Sequence, residues 1–547
     1  MVDKQDTLIE YPERILYNGT IRTVDENETV AEAVAIRNGR FLAVGGTAEI
    51  RELAGPETDE IDLNGRTAIP GLIDSHLHLR NVGRDLNRVT LFDVRSIDDV
   101  LEAIGDAVET TTDTDWILAS SGWHESQLEE ERLPTRYELD AVAPDNPVFI
   151  PRGGHVAVCN SVALDRAGIG EDTDDPDGGT IVRDPDTGEP NGVVLETART
   201  EVVEPVLPDR GYEDYVADIE RAMSELNSRG ITAVMEPGLE RDELRAYQRV
   251  AVDGEATVRT DAFVRIYGAD DVRDAGSYFY REFGTDRLKI GGLKYMLDGG
   301  VEGARLTEPY RIVSEVQEQE DYHGHYLLPE GGTEELQEMY ELAAERGHQV
   351  QTHVVGDEAI ETLLDMYEAA SAVRDIEPLR WTAMHVFLPR EEDRERMREL
   401  GVVTTVQNHP TFLGRNMELL WGQERAADAI PTRTLLEDDI PVGGGTDAPV
   451  VPWYPFESIW WMVTRQTVTT GTLGPEEAID PAEALRLWTR GSAYVLHWED
   501  ELGSVEPGKR ADLAVLDRDI VTCPPDDIRE TTVELTLVGG EVVHEDR

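Results

Sequence analysis

Two histidines one residue apart, His76 and His78, close the apolar run Pro70-Gly71-Leu72-Ile73-Asp74-Ser75. On an extended strand alternate side chains share a face, so both imidazoles point the same way. Neutral imidazoles delivered together by a strand end are natural donors for a divalent metal. Further short apolar runs carry Lys294, His353, His385 and Asp447 at or near their ends. One buried polar group per strand end is hard to satisfy without an ion. Histidine nitrogens with carboxylate oxygens suit zinc first, and also iron, manganese or nickel, as one ion or two.

Lys294 is the most telling of these residues. The chain holds 50 basic residues, and only Lys4, Lys289, Lys294 and Lys509 are lysines. An arginine in that strand would stay charged, whereas a desolvated lysine amine loses its proton. A neutral amine can add carbon dioxide and become a carbamate, an anionic oxygen ligand. The competing role is a plain ion pair with nearby Asp298.

Eight apolar runs have the length and composition of buried parallel strands: 71–78, 231–236, 258–266, 289–297, 349–355, 381–387, 402–407 and 440–447. Helix-like stretches at 333–346, 358–373 and 390–400 separate the later ones. This alternation predicts an α/β chain folded as a (β/α)8 TIM barrel over 68–490, and barrel sites form at the C-terminal strand ends. The first gap is too long for one crossover and predicts an insertion subdomain over 80–229, with strands near 115–121 and 147–152 and a turn-rich loop at 170–192. The termini, 1–67 and 491–547, alternate in the manner of strands, with Asn38-Gly39 as a hairpin turn, and predict one composite β-sandwich.

Formal net charge is −62, from 112 acidic and 50 basic residues. Such an excess self-repels in dilute solution and is screened at molar salt, which points to the cytoplasm of a salt-loving microbe. It offers no basic stripe to nucleic acid. Two cysteines, Cys159 and Cys523, supply no disulfide framework. The N-terminus lacks a secretory pattern, and the apolar runs are shorter than a membrane span. The expected partner is a small-molecule substrate, and a homodimer is the commonest assembly for such a chain.

With these residues in place, the chain resembles the amidohydrolase superfamily, in the branch typified by N-substituted formamide deformylases (amidohydrolase family 3). The likeness rests on Pro70 to His78, Leu133-Pro134-Thr135-Arg136, Asp140 to Pro144, Gly154-His155 and Gly291-Gly292-Leu293-Lys294 with Asp298-Gly299. It continues through His353-Val354-Val355-Gly356-Asp357, Met384-His385, Gly445 to Val450 and the tail from Gly503 to Leu513. The resemblance implies one metal held by His76, His78 and Asp447, another by His353 and His385, and a carbamylated Lys294 bridging them. Met384 and Glu236 depart from that branch, which places an acidic residue and an aspartate there.

The implied reaction is hydrolysis of a non-peptide C–N bond in an amide, N-substituted formamide or imide, by attack of a metal-activated hydroxide. Asp447 is the expected proton shuttle, and Lys294 shares the catalytic centre with it. His155 and His409 are candidates to hydrogen-bond the substrate, and Trp123, Arg152, Tyr295, Arg305 and Trp453 to cover the mouth. His124 and Tyr454 stand beside them as further candidates. The same scaffold also admits deaminase or lactone and ester hydrolase chemistry, since leaving groups are not written in the ligands. A catalytically silent metal-binding protein is the reading outside enzymes.

Overall fold

The computed structural model of the chain describes residues 11–112, 115–154, 156–278, 280–281, 283–311 and 321–546. Its central sheet has eight strands: Leu72–Asp74, Ile231–Leu239, Arg259–Arg265, Leu288–Met296, Gln349–Val354, Thr382–His385, Val403–Gln407 and Val442–Gly445. Each pairs in parallel with the next in chain order. These are barrel strands one to eight, and each falls within or against one of the apolar runs. The connecting helices include Gly332–Arg346, Asp357–Val373 and Glu391–Leu400.

Closure between strands eight and one rests on glycine. Ser75 N–H donates to the Gly444 carbonyl at 3.0 Å, and Asp447 N–H to the His76 carbonyl at 2.7 Å. A Cβ on Gly445 would lie 2.8 Å from Asp74 Oδ1, and one on Gly444 would lie 2.7 Å from Trp488. A side chain at Gly445 would press on strand one, and one at Gly444 on the turn Leu487–Gly491 that carries Trp488.

Inside the barrel, Ile73, Ala233, Met235, Phe263, Met384 and Val403 form an apolar layer, met from below by Ala493, Val495, Trp498 and Leu502. Outward residues such as Val234, Ala262 and Leu293 pack under the helices. The interior is therefore filled at that level, and the strand ends that carry the polar residues lie beyond it.

The insertion carries a five-stranded sheet in the order Gly179–Arg183, Pro190–Glu196, Val156–Cys159, Val148–Arg152 and Ile117–Leu118. The segment read as a turn-rich loop at 170–192 thus contains a strand and the start of a second, paired antiparallel. Gly170, Gly178, Gly188 and the aspartates sit in the flanking turns, Gly179 and Gly192 lie within the strands, and Val193 and Leu195 are buried on one face, Ile181 and Val194 on the other.

Two further sheets face each other across Leu16, Ile21, Val34, Phe41, Leu513 and Leu537. One joins Arg40–Gly45, Ala33–Arg37, Arg14–Tyr17 and Asp59–Asp62; in the other, Thr67–Pro70 pairs antiparallel with Leu513–Leu516. Asn38 and Gly39 both have positive φ, 53° and 71°, as a two-residue hairpin turn requires. The buried Arg259 guanidinium, at the base of strand three, grips Asp512 through two hydrogen bonds of 2.7 and 2.9 Å. That pair ties the terminal sheets to the barrel.

Candidate metal centre at the barrel mouth

Asp447 sits where strand eight ends, and three imidazoles converge on its carboxylate. His76 Nε2 lies 3.0 Å and His78 Nε2 3.3 Å from Oδ1, and His409 Nε2 lies 3.0 Å from Oδ2. The rings of His76 and His385 are 4.8 Å apart, and those of His385 and His353 4.6 Å. His76, His385 and Asp447 are buried, each offering a ligand atom within 4.8 Å of the others. The His78 side chain is 30% exposed, so the centre opens toward solvent on that side.

Local backbone aims these groups. In regular strand geometry Met384 and His385 would face opposite sides. His385 instead has φ 73°, Val386 φ 43° and Asp447 φ 63°, unfavourable for residues bearing a Cβ, and most so for β-branched valine. Bonds from Val386 N–H to the Val354 carbonyl and from Asp447 N–H to the His76 carbonyl hold these turns. Asp74 locks the other side of the seam: Oδ1 accepts from His76 N–H and Thr446 N–H, and Oδ2 from the Thr446 hydroxyl at 2.7 Å.

The charges at this centre favour a cation. Burial pushes His76 down to about 4, His353 to about 3 and His385 well below the usual imidazole range. Burial opposes ionisation of Asp447 as well, but the neighbouring His76 and hydrogen bonds from His409, His76 and His78 outweigh it and keep the carboxyl well below its ordinary value. His76, His353 and His385 are thereby held neutral, and a buried carboxylate beside them calls for a compensating positive charge. His76, His78, His353, His385 and Asp447 therefore fit a divalent cation in donor type and in charge. His385 Nδ1 donates to Gln407 Oε1 at 2.7 Å, which leaves Nε2 as a lone-pair donor.

Lys294 is buried in the same interior, with Nζ against the Met384 sulfur. Burial, then the Arg265 charge beside it, lowers its amine well below the ordinary lysine range, while Asp447 acts in the opposite sense. The pairing with Asp298 is not formed. Asp298 instead accepts backbone N–H bonds from Arg305, Val355 and Gly356 at 2.9–3.0 Å, and burial pushes its carboxyl up to about 7. Within strand two, Glu236 accepts from the Tyr247 hydroxyl, and its Oε1 lies 4.0 Å from His78 Nδ1. Burial also raises its carboxyl to about 7.

The expected substrate contacts divide. His409 turns its Nε2 onto Asp447, so it belongs to the centre itself. Tyr295 follows Lys294 on strand four and faces the opposite way, packing 6.2 Å from the Tyr340 ring and bonding the Leu327 carbonyl; strand alternation removes it from the mouth. Trp123 is buried in the insertion's core with its indole N–H on the Pro151 carbonyl at 2.9 Å. Trp453 packs edge-on to Phe92 and bonds Glu225 at 3.0 Å. Arg152 joins Glu125 at 2.8 Å to Glu302 at 3.2 Å, beside His124, whose Nε2 is 3.4 Å from Glu302. This cluster ties the insertion to the loop after strand four. Arg305 pairs with Glu358 at 3.0 Å, and Tyr454 lies under the Arg229 guanidinium. His155 lies outside the described residues.

Asp74, Thr446 and Gln407 also belong to this centre and were not picked out from the sequence as positioning residues. Gln407 was detectable, since it ends the seventh apolar run as His385 nearly ends the sixth. Tyr247 carries no comparable mark.

Residues 59–544 match the amidohydrolase family model. The chain belongs to that family, as its motifs indicate, and is an amidohydrolase-family hydrolase on a barrel fold. It is 30% identical to the N-substituted formamide deformylase of Arthrobacter pascens, across 97% of this chain and 98% of that one. It is 31% identical to the protein LONG AFTER FAR-RED 3 of Arabidopsis thaliana, across 97% and 91% of the two chains. A solved metal-dependent hydrolase of uncharacterized activity from Pyrococcus horikoshii shares the fold with a TM-score of 0.73 and 27% identity, covering 94% of this chain and 99% of the other.

Proposed function

We propose that the protein hydrolyses a non-peptide C–N bond of a small amide, N-substituted formamide or imide, with divalent metal, zinc foremost, in one or two sites. His76, His78 and Asp447 would hold one ion and His353 and His385 the other. The observation that carries this reading is the buried Asp447 carboxylate drawing three imidazoles within 3.3 Å, with two more histidine rings beside them. The deformylase activity named for the Arthrobacter relative supports the choice of bond.

When bound, a divalent cation lowers the pKa of water and polarises a substrate carbonyl. Asp447 accepts the proton released by the attacking water and returns it to the departing nitrogen, which leaves as a neutral amine. His409 steadies Oδ2 during that exchange, and Gln407 keeps His385 in its ligating tautomer. The Lys294 amine, held neutral by burial, attacks the carbon of carbon dioxide. An N–C bond forms as one C=O π bond of carbon dioxide breaks and its electron pair moves to oxygen, the nitrogen gives its proton to water, and an anionic carbamate results.

In the same reading the enzyme works in the cytoplasm at high salt, as a homodimer, on a small molecule and without a nucleic-acid or membrane partner. Among the described residues no helix is long and apolar enough to cross a membrane. The test combines elemental metal analysis with turnover of N-formyl, N-acyl, cyclic imide and ester substrates. Turnover of an amide-type substrate that tracks metal content is expected. A metal-loaded preparation that cleaves only esters, or cleaves nothing in the panel, overturns the proposal.

A further inference from the structure

A cleft of about 640 Å³ lies between the sheet of the 80–229 segment and the helices Leu79–Asp85 and Tyr212–Ser228, and none of the metal-centre residues lines it. In a chain with more than twice as many acidic as basic residues, its walls reverse the balance. Arg80, Arg84, Arg88, Arg199 and Arg210 line it against Glu204, Asp209 and Asp214. Two of these carboxylates are already engaged: Glu204 pairs with Arg199 at 2.9 Å, and Asp214 accepts from Gly211 N–H.

The guanidiniums are unequally satisfied. Arg210 reaches Asp218 at 2.7 Å, but that carboxylate also takes Arg221 at 3.1 Å. Arg84 occupies Asp85 Oδ1 at 2.7 Å, and Arg88 stands 3.8 Å from the same oxygen. Burial, then the charge of Arg84, depresses the Arg88 guanidinium to about 10, although Asp85 and Asp218 act in the opposite sense. Between the arginines the walls are apolar: Leu118, Phe149, Pro151 and Leu207, with Tyr215 lying 4.8 Å beneath the Arg80 guanidinium. The volume lies within the range of small-molecule sites, and guanidiniums are suited to carboxylate and phosphate oxygens.

We infer that this cleft is a second ligand site, separate from the metal centre, for a small organic oxyanion: a carboxylate or phosphate on an apolar body. The oxyanion meets Arg88 and Arg210, and the body lies against Phe149 and Leu207. The helix Leu79–Asp85 joins the two sites in sequence, since His78 caps its start and Arg84 and Asp85 close it.

Calorimetric titration of the metal-loaded full chain at fixed ionic strength tests the inference, with benzoate, phenylphosphate and neutral benzamide as probes. At least one oxyanion is expected to bind at one equivalent, ten-fold or more tighter than benzamide, and the tighter of the two identifies the headgroup. Arg88→Gln is expected to weaken that binding at least ten-fold, and Asp447→Asn to leave it within two-fold. Arg210→Gln serves if Arg88→Gln fails to fold. Equal binding of benzamide, unchanged binding in a folded arginine variant, or loss of binding in Asp447→Asn overturns the site. Hydrolytic activity is not read in this experiment, so its result stands apart from the proposed reaction.

Discussion

In the proposed reaction Asp447 has two duties, metal ligand and proton shuttle, which a change of one carboxyl oxygen to an amide nitrogen separates. Asparagine keeps the shape of the side chain and one acceptor oxygen but cannot carry a proton between water and a leaving nitrogen. Asp447→Asn is expected to lower kcat by about 10²–10⁴-fold while bound metal falls only in part; an active variant removes Asp447 from the shuttle role. Lys294→Ala is expected to lose activity and regain some of it with short carboxylic acids, which place a carboxylate where the carbamate would stand. Full activity in that variant excludes the carbamate. The residues behind these tests were readable because each is a chemically costly side chain at the end of an apolar run. Trp123 and Trp453 were less readable, since an aromatic ring near a barrel mouth has the same sequence appearance whether it meets substrate or fills a core. Here each indole is buried and bonded, to Pro151 and Glu225.

Barrel strands and their helices were legible because burial on both faces demands near-continuous apolar runs. What escaped was geometry set by partners far along the chain. The left-handed turn at His385, which brings its imidazole to the face that Met384 occupies, leaves no composition signal. The strand pair within 179–196 was hidden by Gly179 and Gly192 inside the strands and by Asp184, Asp186 and Gly188 in the turn between them. The glycine run of strand eight offers an element-scale prediction. Gly445→Ala places a methyl group 2.8 Å from Asp74 Oδ1 and 2.9 Å from His76 N, so the seam between strands eight and one must open. Both melting temperature and metal affinity are expected to fall. A variant with wild-type values for both would show that the seam can relax without moving His76.

At the scale of the whole molecule, a net charge of −62 sets the conditions in which the fold persists. Melting temperature and activity are expected to rise together as salt goes from tens of millimolar to molar, because screening shortens the reach of repulsion to about 3 Å at 1 M. A high melting temperature and full activity in dilute buffer contradict this. One attachment should resist salt. The Arg259–Asp512 pair is almost wholly buried, and removing one partner strands the other charge, so Asp512→Ala is expected to cost about 3–5 kcal/mol in a denaturation experiment. A loss well under 1 kcal/mol would mean that Asp286, on the same guanidinium, suffices.

The antiparallel pairing of Thr67–Pro70 with Leu513–Leu516 also bears on how the chain is born. Pro70 meets Leu513, so the strand Thr67–Pro70 must wait until the residues between them have been synthesised. At ~5–20 residues per second that delay is roughly 20–90 s. Throughout it the nascent N-terminal segment exposes an unzipped sheet edge, a hazard for aggregation. Emergence of Leu513–Leu516, rather than completion of the barrel, is then the moment at which the newborn molecule becomes sealed.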